Sequence, residues 1–232
     1  MLNMLKVSWL IPVLCAGFLV GGFLPAKAQQ FSADIVMTRD GAAAPAGRLW
    51  VRDGRVRIET PEFPGGFLLV DPLKPSANFV RPAARVYMDA RQSSRLTQLL
   101  VPVDPDAPCR SFQAAAQLAG TVVEGDWRCE RTNDEEGDGR KLAVFNVASV
   151  EGRAFAAWLD SERRFPLRIK TADGAVIALE HIRDEAQPAS LFELPANLRK
   201  FSPEALVEQI KQSDVWVSEP KDSEKDSAGT RR

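Results

Sequence analysis

Between Gly139 and Pro195 the chain alternates short β-forming runs with turn pairs, and little except a sheet can be built from that pattern. The runs are Arg140 to Val147, Ala154 to Leu159, Phe165 to Lys170 and Ala175 to Ile182. The breaks are Asp138-Gly139, Glu151-Gly152, Asp160 to Arg164 and Asp173-Gly174. Breaks of this kind accept the positive φ angles that tight hairpins need. Connections this short force antiparallel pairing, because a parallel crossover takes a dozen or more residues. The block closes on Leu191-Phe192-Glu193-Leu194-Pro195.

The first half of the chain adds strands of the same kind. Phe31 to Thr38 alternates apolar and polar, the period of a half-buried strand. Arg39 to Gly47 reads as a loop of small residues. Arg48 to Arg52 and Arg55 to Thr60 flank Asp53-Gly54, a strong hairpin signal. Phe67 to Val70 is a short, continuously apolar strand, and Ala77 to Val80 pairs with Arg85 to Asp89 across Arg81-Pro82-Ala83-Ala84.

The period then changes. Ser93 or Ser94 can cap a short helix whose stripe is Leu96, Leu99 and Leu100. Val101 to Pro108 holds three prolines and reads as an extended linker. Ser111 to Ala119 forms a second helix, with Phe112, Ala115, Ala116 and Ala119 on one face and Gly120 as its stop. Asp126 to Arg131 is a strand and Asn133 to Gly139 an acidic turn.

About ten strands and few helices, not alternating, predict an α+β class. The expected architecture is a strongly curved antiparallel sheet, an incomplete β-barrel, with short lid helices and a C-terminal helix. The ranges are 1–28 for a signal peptide, 29–201 for the half-barrel, 202–213 for the last helix and 214–232 for a disordered charged tail. In the last helix Ser202 caps, Pro203 takes the first position, and Leu206, Val207 and Ile210 make the stripe.

The first 28 residues read as a cleavable secretory signal: Lys6, an apolar run from Val7 to Leu24, and Ala26-Lys27-Ala28 as cleavage site. An uncleaved anchor is the alternative, disfavoured by Pro12, Gly17, Gly21 and Gly22; Cys15 follows Leu14, which a lipidation signal does not use. With the signal removed no transmembrane segment is expected. Loss of Lys6 and Lys27 leaves 28 basic and 31 acidic residues, a net charge of −3 and no electrostatic footprint for nucleic acid. Two cysteines then remain, Cys109 and Cys129. In an oxidising compartment they read as one disulfide, tying the second helix to the sheet. A metal or redox pair is the competing reading, weakened by the absence of a CxxC and by a single histidine, His181.

No catalytic residue and no cofactor are assigned. GxSxG, HExxH, P-loop and GxGxxG motifs are all absent. A catalytic triad would have to use His181, which alternation puts on the same face as Ile177 and Leu179, as a structural residue of an apolar face or its rim. Glu130, Asp134, Glu135 and Glu136 cluster at a turn, where carboxylates are ordinarily solvated. Arg55, Arg57, Arg81, Arg85 and Arg91 could meet phosphate or lipid headgroups, or simply form an outward strand face.

The remaining feature is apolar residues on both faces of several strands: Leu49-Trp50-Val51, Leu142-Val144-Phe145-Val147 and Phe155-Trp158-Leu159. Either helices cover both sides, or one side is a concave face lidded by Ser94 to Leu100 and Ser111 to Ala119 that opens to admit acyl chains.

Four pieces of the chain, in order, resemble the LolA/LolB-type superfamily of periplasmic lipoprotein carriers and outer-membrane lipoprotein-sorting proteins. They are Phe31 to Asp34 with Gly47 to Val51 and Arg55 to Glu59; Cys109 with Trp127-Arg128-Cys129; Ala157-Trp158-Leu159-Asp160 with Phe165-Pro166-Leu167-Arg168; and Ala189 to Pro195. The resemblance spans about Phe31 to Phe201. It implies a periplasmic carrier with a half-barrel that holds a lipid or lipoprotein acyl chain under lid helices. It carries over no ligand-binding residue, and the leading helix of those carriers is missing here, because Gln29 runs almost directly into the first strand. The alternative is an envelope protein-protein interaction or stress-sensing module without lipid, docking through a sheet edge or through Val215-Trp216-Val217.

Overall fold

The computed structural model describes residues 29–202, apart from 73, 91–95, 119–124, 138 and 150–153. The expected signal peptide, the helix at 202–213 with its stripe, the tail with Val215-Trp216-Val217, and the Ser93 or Ser94 cap all lie outside the described residues, Ser202 alone excepted. So do Arg91, Ala119 and Gly120.

Thirteen strands form one sheet: β1 (Gln30–Arg39), β2 (Ala42–Arg52), β3 (Arg55–Glu59), β4 (Phe67–Asp71), β5 (Ser76–Arg81), β6 (Val86–Asp89), β7 (Arg128–Arg131), β8 (Glu135–Gly137), β9 (Arg140–Ala148), β10 (Ala154–Asp160), β11 (Phe165–Thr171), β12 (Val176–Arg183) and β13 (Arg199–Lys200). Two helices, α1 (Leu96–Leu99) and α2 (Pro108–Leu118), stand between β6 and β7. The lateral order is β13-β6-β5-β4-β3-β2-β1-β12-β11-β10-β9-β7, with β8 also on β9, and the two ends do not meet.

Two hairpin meanders are therefore joined by one long-range pairing, β1 against β12, from Ser32↔Arg183 to Thr38↔Val176. One contiguous apolar cluster takes residues from β1 to β5 and from β9 to β12. Strands so far apart in the lateral order share a cluster only if the sheet curls towards that face. The inner face is thus concave, as expected for a sheet of so many strands.

Several boundaries differ from the sequence reading. The stretch 39–47 is mostly strand. The turn is Asp40-Gly41, both at positive φ (52° and 78°), and β2 starts at Ala42. Asp40-Gly41 carries the same signal as Asp53-Gly54 (φ 51° and 81°), but the alanines after it lack an alternating pattern. The acidic turn contains β8, whose Glu135 pairs with Leu142. Helix α2 starts at Pro108, not Ser111, because proline suits the first helical position, where no N–H partner is needed. The sheet is not wholly antiparallel: β13 runs parallel to β6, with Arg199 opposite Val86. The closing Leu191-Phe192 lies in a 3-10 turn, Ala189–Phe192.

That closing segment explains why β4 is apolar on both sides. Leu68 and Val70 enter the concave core, while Phe67 and Leu69 pack on the other face with Val80, Tyr87 and Leu198. Residues 185–200 cross this convex face. Arg57 lies 3.5 Å over the Phe67 ring and donates to the Leu191 carbonyl at 3.2 Å; Arg55 lies 5.7 Å from the Phe192 ring. Gln187 N–H donates to the Gln30 side chain at 2.8 Å.

Two sequence signatures have structural causes. Gly47 sits at φ 146°, where β2 passes so close to β3 that an added Cβ would be 2.2 Å from the Glu59 carbonyl oxygen. Asp160, 2% exposed, ends β10 and accepts the N–H groups of Glu162 and Arg163 through Oδ1 at 2.9 and 3.1 Å. Its other oxygen pairs with the buried Arg163 guanidinium, which also grips Asp184 beyond β12. A charge this buried is tolerated only with such partners.

Gly47→Ala is expected to cost more than about 2 kcal/mol by denaturant unfolding, since rigid backbone meets the new methyl, whereas Gly41→Ala meets open space and costs only the strain of its positive φ, about 1 kcal/mol. Asp160→Ala should cost about 3 kcal/mol by removing one of the two acids that hold the buried Arg163 and the acceptor of two backbone N–H groups.

Candidate functional site

The concave face carries the main apolar cluster of the described chain. Its floor is made by inward positions at period two: Phe31, Ala33 and Ile35 of β1, Leu49 and Val51 of β2, Val56 and Ile58 of β3, and the matching residues of β9 to β12. Aromatic rings meet edge to face across it. Phe31 and Phe165 lie 5.3 Å apart at 81°, and Phe112 and Phe155 lie 5.0 Å apart at 82°.

Its roof is thin. Among the described residues it consists of the single turn α1 with Leu96 and Leu99, the extended stretch from Leu100 to Val103, and α2. The Val103 N–H donates to the Arg164 carbonyl at 2.8 Å, and Asp104 pairs with the Arg164 side chain at 3.0 Å. Helix α2 buries Phe112, Ala115 and Ala116. Phe112 is the one large side chain among them, worth about 2–3 kcal/mol when buried. The Cys109–Cys129 disulfide is present, with a Cα–Cα distance of 5.6 Å, and ties the first turn of α2 to β7.

Among the described residues Leu96, Leu99, Leu100, Val101, Val103 and Phe112 of the roof pack into the same apolar cluster as the floor. Two open hollows lie at the rims. One, about 420 Å³, is bounded by Arg128, Ala148, Ala154 and Lys170. The other, about 620 Å³, has Asp104, Asp106, Arg131 and Arg164 on its walls.

The remaining candidates are separated by the fold. His181 is not on the face of Ile177 and Leu179. It occupies a bulge at φ 49°, its side chain is 71% exposed, and Ile182 takes the inward place. The bulge adds one residue to β12 and inverts the alternation after it. His181 Nδ1 lies 3.1 Å from Asp34, which also pairs with Arg48 at 3.3 Å. Ser32, on β1, instead donates its hydroxyl proton to Glu185 at 3.0 Å.

The acidic turn is solvated and paired. Arg131 and then Lys141 hold the Asp134 carboxyl below its ordinary range, and Glu135 accepts the Trp158 indole N–H at 2.8 Å. A hydrogen bond from Thr171 lowers Asp173 likewise. Both groups stay ionised at neutral pH and offer no proton. Among the described residues no cluster of three His, Cys, Asp or Glu is placed to hold a metal ion, and no helix is long and apolar enough to cross a membrane.

The arginines fall into two groups. Arg55 and Arg57 are taken up by the convex cover. Arg81 and Arg85 are exposed at one corner of the sheet, next to Arg199, whose approach depends on the parallel β13–β6 pair. The sequence reading missed Arg199, because no local pattern announces a two-residue parallel strand.

No family model matches the chain, and no curated protein does. Among solved structures the fold is similar to an uncharacterized conserved protein from Thermus thermophilus, at 11% identity over 76% of this chain and 91% of that one, TM-score 0.44. It is similar to a LolA superfamily protein from Nitrosomonas europaea, at 15% identity over 73% and 91%, TM-score 0.34. It is also similar to the Pseudomonas aeruginosa MucA/MucB complex structure, at 17% identity over 73% of this chain and 57% of that one, TM-score 0.36.

Reduction of Cys109–Cys129, or Cys109→Ser with Cys129→Ser, should cost about 3 kcal/mol of unfolding free energy. It should also speed hydrogen exchange in α2 more than in β1 or β12, read by mass spectrometry.

Proposed function

We propose that this is an exported, periplasmic binding protein that holds the acyl chain of a lipid or lipoprotein on its concave face and catalyses no reaction. The observation that carries the reading is the imbalance between floor and roof. Among the described residues nine strands contribute apolar side chains to one inner face, and a single turn, an extended stretch and an alanine-rich helix cover it. Alanines bury little area, so the helical cover costs far less to displace than a leucine-rich helix would. An acyl chain would replace the roof residues against the floor, and the released apolar surface would be covered again.

The disulfide supports the same reading in two ways. It leashes α2 at one end, so that the helix can swing without being lost. It also suits an oxidising compartment. A roof that closes over the floor without cargo avoids leaving a large apolar surface in water.

Two measurements test the proposal. Protein purified from its native envelope is extracted and analysed for lipid by mass spectrometry, and delipidated protein is titrated with a fluorescent long-chain fatty acid. Saturable uptake is expected, together with faster hydrogen exchange of its cover on opening. No extractable lipid and no uptake would end the carrier reading and favour the interaction module instead. Widening the gap between floor and roof by Phe112→Ala should strengthen uptake, because it weakens the closed state by about 3 kcal/mol.

A further inference from the structure

We propose that the corner formed by β5, β6 and β13 is an anion-recognising mouth of the concave face, so that the bound chain carries a carboxylate or phosphate headgroup. This rests on the binding reading above and specifies its ligand.

Register places the charges. Arg81 lies opposite Val86 in the antiparallel β5–β6 pair, and Val86 lies opposite Arg199 in the parallel β6–β13 pair. Directly paired residues project to the same side of a sheet. Two arginines therefore flank one valine in a row across three strands, with Cα atoms roughly 10 Å apart at the usual strand spacing. Two long side chains converge easily over that distance.

The row is on the concave side. Phe79 precedes Arg81 by two residues, shares its face and packs against the concave core. The Phe63 ring lies 4.9 Å from the Phe79 ring and is 46% exposed, an apolar step from the arginines towards the interior. Arg85 completes the corner. It adopts φ 51° after the 3-10 turn Pro82–Ala84, and its carbonyl accepts the Arg199 N–H at 3.1 Å. That bond places Arg199.

Seven described arginines hold no carboxylate: Arg55, Arg81, Arg85, Arg110, Arg128, Arg168 and Arg199. Arg55 and Arg168 lie over aromatic rings, and three of the other five meet at this corner. The nine others, among them Arg39, Arg140, Arg163 and Arg183, pair with an acid within 4 Å. Glu62, exposed beside Phe63, is the one carboxylate on the adjoining turn. Guanidinium forks match carboxylate and phosphate oxygens bidentately, and their exposure here keeps the gain moderate.

Full-length mature protein is titrated at low salt with a fluorescent long-chain fatty acid, its methyl ester and a fluorescent phosphatidylglycerol. The fatty acid or the phospholipid should bind about tenfold more tightly than the ester, and whichever leads identifies carboxylate or phosphate as the headgroup. Arg81→Ser with Arg199→Ser should abolish that preference and leave ester binding within about twofold, as should raising the salt. Equal binding of the three probes, or a preference that survives the double substitution, overturns the mouth and leaves the carrier reading standing. Failure to bind even the ester overturns both.

Discussion

The pairing of β1 with β12 holds the molecule together. Two antiparallel meanders, one on each side of the helical insertion, would each be a small sheet with an uncovered apolar face. The contacts from Ser32↔Arg183 to Thr38↔Val176 join residues about 140 positions apart in sequence and turn two sheets into one. Only the joined sheet is wide enough to curl until Leu68 and Phe145 share a cluster. The β10–β11 turn strengthens the seam from the outside, since Arg163 reaches from Asp160 to Asp184 just beyond β12.

A sheet curled to one side has two different covering problems. The convex side of the first meander is closed by the chain's own C-terminal stretch, held by cation–π contacts and carbonyl hydrogen bonds that are specific and local. Among the described residues the concave side is closed by α1, the stretch Leu100 to Val103 and α2, held by their buried apolar side chains, the disulfide, and the hydrogen bond and ion pair to Arg164. The two covers also separate the arginines: those on the convex side are consumed by the cover, those at the concave corner are left to solvent.

Much of the fold was legible because strands announce themselves through period two and hairpins through turn pairs. The meander from β9 to β12, the Asp53-Gly54 hairpin and the Cys109–Cys129 bond all follow from local pattern or elimination. Missed elements share a cause. The alanines after Gly41 have no alternation to read, β8 and β13 are two or three residues long, and the bulge at His181 shifts the pattern by one without a glycine to mark it. Each is stabilised by its neighbour in space rather than by its own side chains.

The sequence by itself determined a curved, mostly antiparallel sheet with few helices and the partners of its one disulfide, because turn chemistry and side-chain alternation act over a few residues. Tertiary structure alone decided which strands lie side by side across the seam, which apolar face is roofed and by what, and that Arg81 and Arg199 stand in one row. Those outcomes depend on register between segments more than a hundred residues apart, and on competition among apolar faces for limited cover, neither of which any local window of residues contains.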